Sequence, residues 1–327
     1  MNALEIRSQS RASQSLSAVG ENMVWIPGGT FRMGSDHHYP EEAPAHKVTV
    51  DGFWMSRYTV TNADFRRFVD DTGHVTLAER PADPEDYQDA KPEMLVPSSV
   101  VFKKASGRVD IRNHYNWWLY VPGANWRHPR GPASNIRTLM NHPVVHVAFE
   151  DAQAYATWAG MELPTEAEWE FAARGGLADA EFAWGSEYMP GGKPMANTWQ
   201  GEFPWQNLAE DGYEWTAPVG AFPPNGYGLY EMTGNVWEWT TDWYQDHAKI
   251  RRACCTIDNP RGCGEPEESC DPRTPEIRIP RKVMKGGSYL CAPNYCRRYR
   301  PAARMPQTID TSTCHLGFRC IVRAKSG

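Results

Sequence analysis

KGGSYLCAPNYCRRYRPAAR, running from Lys285 to Arg304, opens on two glycines after a lysine, carries two cysteines five positions apart and holds four arginines. On a straight helix that spacing would turn Cys291 and Cys296 well away from each other, and on a strand it would put them on opposite faces. Gly286 and Gly287 before the pair and Pro293 within it break either kind of regular structure, so a bend can bring both sulfurs to one point. Two thiolates with no third thiol suit a soft monovalent ion such as Cu(I), whereas structural zinc usually wants four ligands. The same spacing also fits a local disulfide or two unrelated buried thiols, because free cysteine is among the most buried residue types.

The surrounding composition bounds the fold. A chain of 327 residues with 14 Trp and 14 Tyr can bury a sizeable core, while 26 Pro and 27 Gly imply many turns and little regular structure. A loop-rich α+β domain over 21–327, preceded by a poorly ordered polar tail over 1–20, fits that balance. The net charge of −6 and the lack of a basic tract argue against a nucleic-acid partner. No apolar run is long enough for a secretory signal or a bilayer span, so a soluble, intracellular protein is expected. All eight Cys lie between positions 254 and 320, and in a reducing compartment they should remain thiols.

Taken in order, MVWIPGGTFRMG (Met23 to Gly34) predicts a hairpin turning at Pro-Gly-Gly, and His46 to Thr61 alternates as further strands. Thr61 should cap a helix that buries Phe65, Phe68 and Val69 and stops at Gly73. Residues 81–145 are irregular but aromatic-rich around YNWWLYVPGANWRHPRGP, which predicts a packed long loop. A strand near His142 to Val147 and two helices follow, the second opened by Thr165 and Glu168 and closed by Gly175. His142, His146 and Glu150 are better explained by packing than by ligation. Asn197 and Asp211 offer hard oxygens for Ca²⁺, and Glu231, Asn235, Glu238 and Asp242 offer a second set around a glycine; solvated turn carboxylates are the plainer reading of both.

Six blocks together carry a resemblance: MVWIPGGTFRMGS, WWLYVPGANWRHPRGP, LPTEAEWEFAARGGL, FPPNGYGLYEMTGNVWEWTTDWY, KGGSYLCAPNYCRRYRPAAR and LGFRC. Over about Met23 to Arg323 the chain resembles the sulfatase-modifying-factor family. The resemblance implies a single domain of low secondary-structure content with the formylglycine-generating-enzyme fold, related to C-type lectins. It implies an oxygenase that converts the cysteine of a Cys-x-Pro-x-Arg motif in type I sulfatases to Cα-formylglycine, using O₂, Cu(I) and a thiol reductant. By the same match Cys291 and Cys296 would hold copper, Ser288 and Trp237 would line the oxygen side, and Arg300 and His315 would bind the substrate peptide. Asn197, Thr198, Asp211 and Tyr213 would form one structural calcium site, and Glu231, Gly234, Val236 and Glu238 a second.

The Cys pair marks catalytic members, which sets this reading against a non-catalytic peptide- or sulfatase-binding paralogue on the same fold. His315 stands where many members carry Asn, and its charge is expected to vary near neutral pH. Ala173 and Pro301 stand where secreted eukaryotic members pair cysteines, so the resemblance implies a cytoplasmic form of bacterial type, expected to be monomeric. Cys254, Cys255, Cys263 and Cys270 sit in a Pro- and Gly-rich insertion whose spacing does not match paired zinc ligands. Cys314 and Cys320 read as inert buried thiols.

Overall fold

The computed structural model describes residues 22–85, 87, 91–247, 256–260 and 265–323. The N-terminal tail and Cys254, Cys255 and Cys263 lie outside the described residues. Short elements dominate: β1 (Met23–Ile26), β2 (Gly29–Met33), β3 (His46–Val50), β4 (Phe53–Ser56), α1 (Asn62–Thr72), β5 (Ser98–Phe102), β6 (Trp118–Pro122), α2 (Phe149–Trp158) and α3 (Glu166–Arg174). After these come β7 (Trp237–Trp243), β8 (Ile257–Asp258), β9 (Arg281–Lys285), β10 (Arg304–Thr308), β11 (Leu316–Gly317) and β12 (Ile321–Arg323). The strands form small sheets in the orders β1-β4-β12, β10-β9-β7-β11, β2-β3-β8 and β5-β6. The result is the loop-rich α+β domain that the composition implies. Among the described residues no helix is long and apolar enough to cross a membrane.

The helices form where the sequence places them. Thr61 and Asp64 make a reciprocal capping box at the start of α1, Phe65, Phe68 and Val69 are buried, and Gly73 ends the helix at φ 70°. Thr165 and Glu168 do the same for α3, which Gly175 closes in the left-handed region.

Two expectations about strands are overturned. β1 and β2 do not pair with each other. Met23 to Met33 instead runs antiparallel to His46 to Ser56 in one continuous register, from Met23 opposite Ser56 to Met33 opposite His46. Pro-Gly-Gly is a break in the middle of this long arm, and the true turn is the excursion over residues 34–45. A Cβ at Gly28, which sits at φ 73°, would lie 2.6 Å from the Val50 carbonyl oxygen, so close approach of the two arms, not chain reversal, requires the glycine. Near His142 to Val147 there is no strand, only a bridge between Thr61 and Pro143, because His146 adopts φ 61° and breaks the extended run. The aromatic-rich stretch does pack, with Trp117 and Trp126 buried, and it also contributes the β5–β6 hairpin.

Helix α3 is buried along its whole length and carries charge into the interior. Glu166 accepts from Arg304 at 2.7 and 2.9 Å and from Lys285 Nζ at 3.4 Å. Glu170 accepts from Lys285 Nζ at 2.9 Å and Arg174 at 2.7 Å, and also caps the Gly34 amide. Lys285 and Arg304 face each other across β9 and β10, so the twenty-residue stretch with the cysteine pair is a loop whose two ends meet on Glu166. From the long hairpin's turn, Glu42 makes a bidentate pair with Arg300, at 2.8 and 2.5 Å, in the middle of that loop. Both partners are essentially fully buried.

Leaving Arg300 buried without its carboxylate is expected to cost ~3–5 kcal/mol. Urea unfolding of Glu42→Ala should show that loss, whereas a loss under ~1 kcal/mol would mean the pair is solvated. Stability should also fall on acidification. Burial, with Arg304 adding to it, holds His247 down to about 4, and burial holds His146 down to about 4, against 6.5 when unfolded. The unfolded chain therefore takes up protons first between those values, and stability is lost as pH falls through them. Burial alone would raise Glu166, but Arg304, Lys285 and His247 hold it well below 4.5, which adds loss at the acid end. Asp242, pushed up by burial and then Glu166 to about 7, works in the opposite direction above 3.8. The expected net result is a urea midpoint that drops from pH 7 to pH 4.5; a flat or rising midpoint would contradict the buried neutral histidines.

Candidate active site

After β9 the chain turns on Gly286 and Gly287, at φ 94° and 72°. A Cβ on Gly287 would lie 2.6 Å from the Arg298 carbonyl oxygen, so the turn folds tightly back onto the far side of its own loop. That folding brings Cys291 Sγ to 3.3 Å from Cys296 Sγ, and both are free thiols. Their surroundings differ. Cys291 is 2 % exposed and Cys296 9 %, so Cys296 is the sulfur nearer the surface. A hydrogen bond from Cys291 lowers the Cys296 thiol to about 6, with Arg298 helping from 3.7 Å. Burial, followed by the interaction with Cys296, pushes Cys291 well up. Of the two, Cys296 is the sulfur whose surroundings favour the thiolate, and Cys291 the one whose surroundings favour the thiol.

Sequence reasoning named Arg300 and missed Arg298. Arg300 is a buried strut on Glu42 with its Nε donating to the Arg297 carbonyl, so it does not reach solvent to meet a peptide. Arg298 is the guanidinium at the sulfur. It is held by Glu41 at 2.5 Å and lies 3.8 Å over the Tyr39 ring. Tyr39 also accepts from the Arg297 amide through its hydroxyl, at 3.0 Å. Tyr39, Glu41 and Glu42 all belong to the hairpin excursion, which explains the omission: with the turn read at Pro-Gly-Gly, nothing in the sequence brings residues 39–42 to the cysteines.

Ser288, Trp237 and His315 are drawn together. The Ser288 amide donates to Cys291 Sγ at 3.4 Å, and its hydroxyl lies 2.9 Å from His315 Nδ1. Trp237 is buried in the same cluster as both cysteines, and its amide donates to the His315 carbonyl at 2.8 Å. Burial, with His146 nearby, pushes His315 down to about 3, which favours the neutral ring over a charge that varies near neutrality. His142, His146 and Glu150 have separate partners in Thr216, Ser99 and Arg80. Cys314 is bonded by the Phe102 amide and Cys320 is fully buried.

The two oxygen-rich sets differ in what they leave free. Asn197 and Asp211 are brought to one turn: Asp211 accepts from the Thr198 and Tyr213 amides, and burial raises its carboxyl. The Asn197 side-chain oxygen is buried with no partner among the described residues, an acceptor that a cation would satisfy. In the second set Glu231 already accepts the Gly220 and Phe222 amides. Glu238 is bound by Arg319, Trp169 Nε1 and Thr59, a buried structural ion pair that leaves its carboxylate no room as a ligand. The Gly234 amide donates to the Gly286 carbonyl and Val236 is buried, so this segment braces the cysteine loop. Among the described residues, no three His, Cys, Asp or Glu side chains converge as a metal cluster.

Comparisons with known proteins identify the family. The sulfatase-modifying factor enzyme 1-like domain matches residues 9–324. The formylglycine-generating enzyme of Mycobacterium tuberculosis is 52% identical over 308 residues, covering 93% of this chain and 99% of that protein. The formylglycine-generating enzyme of Mus musculus is 48% identical, covering 91% of this chain and 74% of that one. Among solved structures, PvdO from Pseudomonas aeruginosa superposes with a TM-score of 0.61 at 24% identity, covering 92% of this chain and 94% of that one, which is a likeness of fold alone. With a family match spanning nearly every residue and full-length relatives close to half identical, the chain belongs to the sulfatase-modifying factor enzyme family.

Proposed function

We propose that the protein modifies sulfatases by oxidising the cysteine of a Cys-x-Pro-x-Arg segment to Cα-formylglycine, with O₂ and a thiol reductant. The observation that carries this reading is the pair of free sulfurs 3.3 Å apart on a loop pinned at both ends. The balance is that one O₂ takes two electrons and two protons from the reductant. It takes two further electrons from the substrate, whose CH₂–SH becomes CHO, releasing sulfide and water.

The donor set fits copper(I), since two soft sulfurs with no third His, Cys, Asp or Glu among the described residues leave a low-coordinate site open to another sulfur. Cys291 and Cys296 would hold the ion, which when bound supplies the one-electron chemistry that O₂ requires. The chain's own residues do the rest. Arg298 keeps negative charge on Cys296, the Ser288 amide orients Cys291, and buried Trp237 and Tyr299 exclude water from the interior side of the pair. Arg297 and Glu181, paired at 2.9 Å, give the outer edge its polar contacts for an extended peptide. For calcium, Asn197 and Asp211 with the carbonyls of Thr198 and Tyr213 are the set that fits; its role is to tie the 197–213 turn together.

Two outcomes test these assignments. Mass spectrometry of a Cys-x-Pro-x-Arg peptide incubated with protein, Cu(I), O₂ and thiol should show thiol-to-aldehyde conversion by wild type. Cys291→Ser and Cys296→Ser should each lose it by ~10²-fold or more, in line with loss of an essential group. A wild type that loads copper and binds the peptide yet leaves it unchanged would instead be a non-catalytic binding module. Calcium removal should lower the thermal midpoint of wild type by several degrees and leave Asn197→Ala unaffected; equal shifts in both would place calcium elsewhere.

A further inference from the structure

Resting on that reading, we infer that His315 is a positioning residue: its imidazole holds the Ser288 hydroxyl, and through Ser288 it sets the place of the Cys291 sulfur. Ser288 is the junction. Its hydroxyl reaches His315 Nδ1 at 2.9 Å and accepts from the Leu290 amide at 3.3 Å, its amide donates to Cys291 Sγ at 3.4 Å, and its carbonyl accepts the Cys291 amide at 2.9 Å. Ser288 is fully buried, so no water replaces a lost partner of that hydroxyl.

His315 is itself fixed from three sides. Its carbonyl accepts from the Trp237 amide at 2.8 Å, the Trp118 ring lies 4.9 Å from the imidazole, and the next residue, Leu316, pairs with Trp237 in β11. The backbone at His315 is thereby fixed and the Trp118 ring bounds the imidazole that meets the serine. Burial and the nearby His146 keep the ring neutral, so Nδ1 is free to accept the Ser288 proton. The hydrogen then sits on Nε2. Asn in place of His315 would put an amide oxygen the same number of bonds from the backbone as Nδ1. The serine contact is therefore what both side chains can preserve.

The test uses His315→Ala, His315→Asn, His315→Gln and Ser288→Ala in the full chain, with thermal midpoints to confirm folding. Peptide turnover by His315→Ala should fall about 5- to 30-fold, the size of one buried hydrogen bond. Affinity of the metal-free protein for a Cys→Ala version of the peptide should change less than about two-fold, so the loss sits in turnover. His315→Asn should recover most of the activity and His315→Gln should not. In the Ser288→Ala background, His315→Ala should add less than about two-fold, because the contact it serves is already gone. Nitrogen-15 spectra of the metal-free protein should show the neutral Nε2–H tautomer in wild type and a mixed population in Ser288→Ala. Additive losses, an Asn variant no better than Ala, or an Nδ1–H tautomer would overturn the assignment. Wild type that fails to convert the peptide would instead refute the proposed function, and the tautomer and binding measurements would still decide whether His315 positions Ser288.

Discussion

The architecture depends on carboxylates carried into the interior by helix α3. Glu166 meets Lys285 and Arg304, the two residues that bound the cysteine loop, so the base of the loop is closed by a charge cluster as well as by β9–β10 pairing. Charges at that depth are costly unless every one is matched, and pairs of this kind add little net stability over an apolar core. What they add is position. They join segments 81 to 258 residues apart in sequence, and a mismatch at any of them would leave a buried ion, so alternative placements of the loop are penalised. Glu42 on Arg300 and Glu238 on Arg319 repeat the device on other faces of the core.

Much of this was legible in the sequence for a simple reason. Helix caps, glycine stops and the convergence of Cys291 with Cys296 depend on residues within a few positions of each other, and local chemistry decides them. The errors share the opposite cause. Pro-Gly-Gly carries the local chemistry of a turn, yet Met23 to Met33 stays extended because a partner from His46 to Ser56 runs along all of it and Gly28 lets the arms approach. Arg300 and Glu238 resemble ligands by type and neighbourhood; the distant partners Glu42 and Arg319 make them struts. Arg298 was invisible for the same reason, since Glu41 and Tyr39, which aim it, approach only once the hairpin turn is placed at residues 34–45.

That turn also adds to the asymmetry of the two sulfurs, which the hydrogen bond from Cys291 to Cys296 sets first. Arg298 belongs to the cysteine loop, and alone its long side chain would be free to leave for water. Glu41 and the face of Tyr39 hold it in place, and Tyr39 is held in turn by the Arg297 amide. The guanidinium charge is divided between a carboxylate at 2.5 Å and a sulfur at 3.7 Å, so Cys296 is favoured as the anion without being locked into an ion pair. On the other side Ser288 gives Cys291 only a neutral amide. One cysteine receives a cation and the other a dipole. Two thiols with the same covalent chemistry are thereby distinguished by which segment packs against each. The hairpin turn supplies one environment, and the His315–Ser288 contact beneath β7 and β11 supplies the other.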